Sequence, residues 1–386
     1  MIPIRNIGRA LKKAREFPGY ALKALIQRSR SGFSYFLFRG RSAPPETVSL
    51  LLTYRCNLRC KMCGQWGETG SSKFYTPEIL REELDVKEVG KLVDHLKRSY
   101  TFPPAITLFG GEPLLYGGLI EVVERIKGNG MRLNIITNGT LLKKYAKDLV
   151  SAKLDEIIFS LDGPPDVHDM VRGRKGVFDD AKEGFLILDE EKRRLKTTRP
   201  VLNVNSTIFD FNYLDIPRTV KTARSLGARE VTFHHLIFID GGRLKSHNRE
   251  MREHFGCESH DWAGFVLDRL PDIDTKRLRE KLAEARSMGA TVYPNLTDDE
   301  IEAYYTNFTF SPKSYSGRCK SPWMVAYIFP DGTVRPCLSL GVKIGNIRER
   351  PLAEIWNDYL YRRFRRRVKE RGRFDVCDRC TELYRF

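Results

Sequence analysis

Short apolar runs alternate with amphipathic stretches through the front half of the chain. Aliphatic or β-branched runs recur at Val48–Tyr54, Ala105–Phe109, Arg132–Thr137, Glu156–Leu161, Val201–Thr207 and Glu230–His235. Between them, apolar residues return at helical spacing over Val86–Arg98, Leu119–Lys127, Leu142–Ala152, Phe178–Lys192 and Leu214–Ser225. Strand and helix in turn predict an α/β fold, a parallel sheet with crossover helices, open or curled into a full or partial barrel. Either form places its ligand at the carboxyl ends of the strands. Polar loops mark those ends: Cys56–Cys63, Gly110–Pro113, Asn138–Gly139 and Asp162–Pro165 follow the first four runs.

The rhythm fails after residue 239. Residues 240–318 read as a polar, helical linker or insertion, and residues 319–386 as a small α+β cysteine-bearing module with a hairpin turn at Pro330–Asp331–Gly332. Residues 1–47 form a basic amphipathic extension, which leaves 48–239 as the core.

With 41% apolar residues in 386, the chain can bury a core of two or three domains at about 100–200 residues each. No apolar run reaches the roughly 18 residues of a spanning helix, and no secretory signal pattern opens the chain. The expected location is the cytoplasm. The formal charge of +17 is concentrated at the ends. Residues 1–41 hold ten Lys and Arg against Glu16, residues 360–373 hold eight against Glu370, and the body between is close to neutral. Basic residues mixed with Ile4, Ile7, Leu11, Leu22, Leu25, Ile26 and the aromatic run Phe33–Phe38 fit peripheral contact with the inner face of an anionic membrane. A helix packed on the body with a solvated basic side fits equally. The second run, with Phe364 and Val368 one turn apart, reads as a solvated helix face.

Eight cysteines in such a chain point to metal or redox use rather than a disulfide scaffold. Cys56, Cys60 and Cys63 form C-x3-C-x2-C, three thiolates that can hold three irons of a cubane and leave the fourth open. A zinc site would want a fourth protein ligand, and His95 is distant. Cys319, Cys337, Cys377 and Cys380 form two pairs that could complete a cluster or a four-cysteine zinc site. Cys257 belongs to neither group.

The front motif is the signature of the radical S-adenosylmethionine (SAM) superfamily, which residues 48–236 resemble. Gly110, Gly111, Glu112 and Pro113 match the family's GGE motif, which binds the SAM amino group. Ser160-Leu161-Asp162-Gly163 followed by His168 and Arg172-Gly173 resembles its SLDG…H…RG stretch. Asn138 and Asn205 lie where SAM ribose or carboxylate contacts are common in the family. Met62 departs from the pattern, which has an aromatic residue near the adenine. The resemblance implies a partial (β/α)6 barrel, a SAM-binding 4Fe–4S cluster on Cys56, Cys60 and Cys63, and a reductant such as flavodoxin or ferredoxin. Reductive cleavage of SAM would give a 5′-deoxyadenosyl radical that abstracts hydrogen from an unactivated C–H bond.

Behind such a barrel, Cys319, Gly332-x4-Cys337, Gly345-Asn346-Ile347, Glu354-Ile355-Trp356 and Cys377-x2-Cys380 resemble the SPASM/twitch extension. The later SPASM cysteines are missing before Phe386, so the resemblance implies one fully ligated auxiliary 4Fe–4S cluster, suited to accepting an electron from a substrate radical. Cys257 could return hydrogen to such a radical or be incidental, and His234 and His235 could face the cavity or the core. No catalytic acid or base is assigned. Three readings follow: oxidative or bond-forming chemistry on a lipid or polyprenyl-linked substrate at a membrane; modification of a ribosomally made peptide; and, from another class, a zinc protein that binds nucleic acid through its basic ends.

Overall fold

The computed structural model describes residues 7–16 and 18–386, so Ile4 and Arg5 of the basic extension lie outside the described residues. Ten strands make one sheet: β1 Thr47–Leu51, β2 Ala105–Phe109, β3 Leu133–Thr137, β4 Glu156–Ser160, β5 Val201–Ile208, β6 Glu230–His235, β7 Thr291–Tyr293, β8 Val325–Ile328, β9 Thr333–Arg335 and β10 Gly345–Asn346. The order is β10-β9-β8-β1-β2-β3-β4-β5-β6-β7, with β10 and β7 as edges, so the sheet does not close on itself. All six strands expected from the apolar runs are present, side by side and parallel, from β1 to β6.

Four further strands extend this core. β7, from the segment read as helical, pairs in parallel with β6; three residues are too few to show a pattern. β8 pairs in parallel with β1, placing Thr47 opposite Val325 and Leu50 opposite Ile328. The cysteine-rich C-terminal segment therefore continues the same sheet. The expected hairpin joins β8 to antiparallel β9: Gly332 takes φ 78°, and Asp331 Oδ1 accepts the Thr333 N–H at 3.0 Å.

The helices sit where periodicity and capping agree. Val86–Ser99 begins at a reciprocal Asp85/Glu88 capping box and buries Val89, Leu92, Val93 and Leu96, an i, i+3, i+4, i+7 stripe. This stripe joins one continuous core with Val48, Leu50, Ile106, Leu108, Leu133, Ile135, Ile157, Phe159, Leu202 and Val204 from one face of the sheet. Each such side chain contributes roughly 1.5–3 kcal/mol of burial.

The opposite face is mixed, with polar residues set among Leu51, Phe109, Ile136 and Ile158. It carries Ser49, Thr107, Asn134, Ser160, Asn205, Thr207 and His234, aligned strand to strand by the pairs Ser49–Thr107, Thr107–Asn134, Ser160–Asn205 and Thr207–His234. At its lower end Asn203 Nδ2 donates to Glu156 Oε1 at 2.7 Å, and Arg132 pairs with Glu156 at 2.5 Å.

The second basic run is a solvated face only in part: Arg363, Arg366 and Arg371 are exposed. In helix Tyr359–Arg371, Phe364 and Val368 are buried as expected, but so is Arg365, with no exposed surface. Its guanidinium lies over the Trp356 and Tyr361 rings and donates to the carbonyls of Pro322, Gly40 and Trp356 at 2.8, 3.2 and 2.8 Å. Arg367 and Arg371 pair with Glu250 at 2.7 and 3.3 Å. The run latches the N-terminal segment and helix Gly241–Phe255 to the C-terminal module. An apolar stripe alone could not reveal this, because the Pro322 and Gly40 carbonyls and the Glu250 carboxylate come from distant sequence.

Two buried histidines set an acid limit. His247 meets Ser259 Oγ at 2.9 Å, and burial pushes its pKa down to about 4; burial takes that of His235, paired with Tyr305 at 2.9 Å, to about 3. Unfolded, each ring titrates near about pH 6.5. Below that value the unfolded chain binds more protons than the native one, so stability is complete above about pH 6.5 and falls as pH drops towards 4. Urea midpoints measured across this window should decline with acidification, and His247→Gln, which cannot titrate, should show a shallower decline.

Candidate active site

Parallel pairing puts the carboxyl ends of β1 to β6 on one rim, and the loops there build the site. The first carries three thiols. Its turn is closed by Cys63 N–H to Cys60 O at 3.1 Å, and Lys61 N–H reaches Val171 O at 3.0 Å on helix Pro165–Arg172. Trp66 N–H donates to Cys63 Sγ at 3.2 Å, and the Arg59 guanidinium covers the Trp66 ring. Burial pushes the Cys56 thiol up to about 11, with the neighbouring Cys60 and Cys63 adding to it. Cys60 is raised by burial too, against the pull of Arg172, whose Nη1 stands 3.6 Å from its sulfur. Cys56 and Cys60, crowded and largely buried, resist ionisation by themselves, and bound iron is what would make them thiolates. Among the described residues, no three His, Cys, Asp or Glu side chains converge tightly enough to hold a single metal ion. A cubane, whose thiolates bind separate irons, asks for a wider set.

The glycines of Gly110–Gly111 let this loop and the β2 loop touch. Gly111 N–H donates to Thr53 O at 2.9 Å and Glu112 N–H to Arg55 O at 2.8 Å. A Cβ on Gly111 would overlap the backbone oxygens of Arg55 and Tyr54, which cannot swing aside. Gly111→Ala should therefore lower SAM affinity at least tenfold by equilibrium dialysis, with a destabilisation of about 1–3 kcal/mol read as a lower melting temperature. Glu112 is 1% exposed, and its carboxylate accepts from Leu114 N–H, Thr137 Oγ1 and Asn138 N–H at 2.9, 2.7 and 2.7 Å. Burial raises its pKa against those donors and against Arg172. Three of its roughly four lone-pair positions are filled from within the chain. Pro113 opens the short turn that follows.

Asn138 faces the cysteine loop. Its Nδ2 donates to Asn57 Oδ1 at 3.0 Å, and its Oδ1 accepts from Thr140 Oγ1 at 2.7 Å, while Asn57 Nδ2 reaches Thr140 Oγ1 at 2.9 Å. Asp162, 1% exposed, lies against Arg172 at 2.6 Å and accepts the Thr207 N–H at 2.8 Å. Burial raises its pKa against the Arg172 charge. Arg172 also donates to Ser160 O at 2.6 Å, so its guanidinium is fixed between Asp162 and Cys60. His168 is neutral through burial, and its Nδ1 accepts the Asp162 N–H at 3.2 Å. Ser160 and Asn205 are half-buried neighbours on the polar face, and Met62 packs near Val167 and Phe209. His234 shares that face, whereas His235 is in the core. Asn57, Thr207 and Asn212, which holds Asp162 O at 2.9 Å, were not among the candidates; polar alternation along β5 was the available signal for Thr207, and none pointed to the two loop asparagines.

The four rear cysteines gather beside the same sheet. Cys319 is tied by its N–H to Gly372 O at 2.9 Å, Cys337 follows β9, and Cys377 and Cys380 share one turn, with Cys380 N–H to Cys377 O at 3.0 Å. Burial pushes Cys319 to about 12 and Cys337 to about 11, and raises Cys377 and Cys380 further. Cys377 feels the other three thiols, which places all four in one neighbourhood. Cys257 is half-buried on a separate loop that abuts Gly341 through Glu258.

A parallel sheet with three thiols on its ligand rim and four more in a docked module defines an iron–sulfur enzyme of the α/β class. Residues 50–207 match the radical SAM superfamily, and residues 319–381 match an iron–sulfur cluster-binding domain, SPASM. The chain belongs to the radical SAM superfamily, with a C-terminal SPASM module, and is an enzyme that uses S-adenosylmethionine, a SAM-binding 4Fe–4S cluster and auxiliary cluster chemistry. It is 26% identical over 340 residues to an AdoMet-dependent heme synthase of Methanosarcina barkeri, covering 86% of this chain and 88% of that one. It is 27% identical over 325 residues to a PqqA peptide cyclase of Ruegeria pomeroyi, covering 81% and 74%. Its fold resembles Streptococcus suis SuiB bound to precursor peptide SuiA, with TM-score 0.58, 14% identity and coverage of 87% and 70%. The native anSMEcpe structure with bound AdoMet and a peptide gives 0.54, 16% identity and 82% of each chain. The zinc and nucleic-acid reading falls with these matches.

Proposed function

We propose that this enzyme removes hydrogen from an unactivated C–H bond of a polar moiety and completes an oxidative or bond-forming modification. The observation that carries this reading is the set of polar side chains Asn203, Asn205, Thr207 and His234 on one face of β5 and β6, in the same sheet whose β1 leads into the three-thiol loop. A group entering beside β5 and β6 meets hydrogen-bonding side chains, with Ile158 of β4 next to Asn203. In this reading Cys56, Cys60 and Cys63 hold the cluster that binds SAM, and Cys319, Cys337, Cys377 and Cys380 hold one auxiliary 4Fe–4S cluster. When bound, the first supplies the electron that splits SAM into methionine and a 5′-deoxyadenosyl radical, and the second takes up the electron left on the substrate.

The chain's own side chains then have separate tasks. Arg172 holds a fixed positive charge beside Cys60, where it can meet the SAM carboxylate, with Asp162 and Ser160 O orienting it. The Gly110–Pro113 loop meets the SAM amino group, and Ser160 and Asn205 offer hydrogen bonds at mid-rim. Asn138 positions the cysteine loop through Asn57. Domain limits of 48–239 for the barrel, 240–318 for the insertion and 319–386 for the module accompany this reading.

For the substrate we propose the polar end of a lipid or polyprenyl-linked molecule, supported by the basic, apolar N-terminal helices. A ribosomally made peptide is the second reading, favoured by the similarity to the PqqA peptide cyclase and the fold likeness to SuiB. Release of 5′-deoxyadenosine by the anaerobically reconstituted, reduced enzyme, with host lipid, peptide and polar fractions added separately, distinguishes them. Stimulation by lipid alone supports the first, and stimulation by peptide alone replaces it with the second.

A further inference from the structure

Helix Pro18–Leu37 has two apolar sides. One is buried: Ala24, Ser31 and Tyr35 face the body, and Gln27 Nε2 donates to Phe102 O at 3.1 Å. The other side, at the same helical spacing, leaves Leu22, Leu25, Ile26, Phe33, Phe36 and Leu37 in solvent, with Phe33 at 66% and Phe36 at 57% exposure. Ile7 and Leu11, one turn apart on helix Ile7–Glu16, are exposed as well. An outward apolar stripe of this length marks a contact surface.

Its charges say which. From Pro18 to Pro45 the sequence has no Asp or Glu, while Lys23, Arg30, Arg39 and Arg41 stand exposed, and among the described residues no carboxylate pairs with any of them. At the carboxyl end of the helix, Arg30 and Arg41 flank a cleft of about 540 Å³ whose other walls include Phe33, Phe38 and the Ser29 hydroxyl. The far wall is rigid. Ser42 Oγ donates to Trp323 O at 2.8 Å and Trp356 Nε1 to Ala43 O at 2.7 Å, so Arg41 is presented from the folded module.

We propose that this helix is a docking surface for an anionic lipid bilayer, with Phe33, Phe36 and Phe38 entering the acyl boundary and a lipid phosphate seated between Arg30 and Arg41. Guanidiniums beside aromatic rings match the order of phosphate above acyl chain, and the carboxylate-free stretch gives uniform attraction to a negative surface. No helix among the described residues is long and apolar enough to cross a membrane, so the contact is along the surface. This docking stands apart from the radical chemistry, while the lipid-substrate reading draws on the same helices.

The test is co-sedimentation of the holoenzyme with vesicles of phosphatidylglycerol and phosphatidylcholine mixed, or of phosphatidylcholine alone. Binding should be at least tenfold stronger to the anionic vesicles and weaken with salt. Arg30→Gln with Arg41→Gln, and separately Phe33→Ser with Phe36→Ser, should each reduce it at least tenfold while leaving 5′-deoxyadenosine release without vesicles unchanged. Equal binding to both vesicle types, or binding that neither variant alters, overturns the proposal. So does sedimentation equilibrium showing a dimer that the phenylalanine variant converts to monomer, since a second copy would then cover the stripe. Because vesicle binding is read without SAM, its failure would leave the catalytic reading standing.

Discussion

Replacing Cys56, Cys60 and Cys63 together with alanine is expected to abolish 5′-deoxyadenosine formation, below one part in a thousand of the unaltered enzyme, and to remove about half of the bound iron. The three thiols occupy one loop pinned by Val171, Trp66 and Asn57 partners, and none of them contributes to the sheet. Their loss should therefore spare the fold and the rear cysteines. Far-ultraviolet dichroism and the residual four irons, about half of the total, check that the chain is intact. A triple variant that still cleaves SAM would remove the rim from the account.

The second large effect belongs to the rear module. Cys377→Ala with Cys380→Ala should leave SAM cleavage working in the presence of substrate but cut product formation at least a hundredfold. Hydrogen abstraction would proceed while the electron on the substrate radical had no acceptor. The turn Asp375–Arg379, which carries Cys377 and leads into Cys380, is held by Arg379, whose guanidinium donates to Tyr304 O and Asn307 O at 2.7 and 2.6 Å, so it should survive the change. Product and 5′-deoxyadenosine measured in the same reaction give the ratio. Equal ratios in variant and unaltered enzyme would make the rear cluster structural rather than an electron acceptor.

The strands and helices of the core were legible because their apolar periods are strong: Ala105–Phe109 and Glu230–His235 match the observed β2 and β6 end to end. The hairpin at Pro330–Gly332 was legible from its turn residues. What pattern could not show was partnership across distance. The pairing of β8 with β1 joins Thr47 to Val325, far apart along the chain, and Thr291–Tyr293 is too short to announce itself. Arg365 looked like one more basic residue, because its partners Gly40, Pro322 and Trp356 are gathered only by the fold.

At the site, close spacing singled out Cys56, Cys60 and Cys63, which share one loop, and Cys377 and Cys380, which share one turn. It could not distinguish side chains at the rim from those beneath it. Asp162 and Asn138 were both candidates for contact with SAM, yet Asp162 is spent on Arg172 and Thr207, and Asn138 on Asn57 and Thr140. Asn57, inside the cysteine motif itself, drew no notice because its partner lies on another loop. The polar residues on one face of the sheet were also hidden, as a single Ser, Thr or Asn between aliphatic neighbours reads as tolerance until six strands align them.

The most direct test of the two-cluster account is the iron, acid-labile sulfide and zinc content of the anaerobically reconstituted chain. Two 4Fe–4S clusters require about eight irons and eight sulfides per chain with negligible zinc. About four irons with one zinc, or zinc alone, would contradict it.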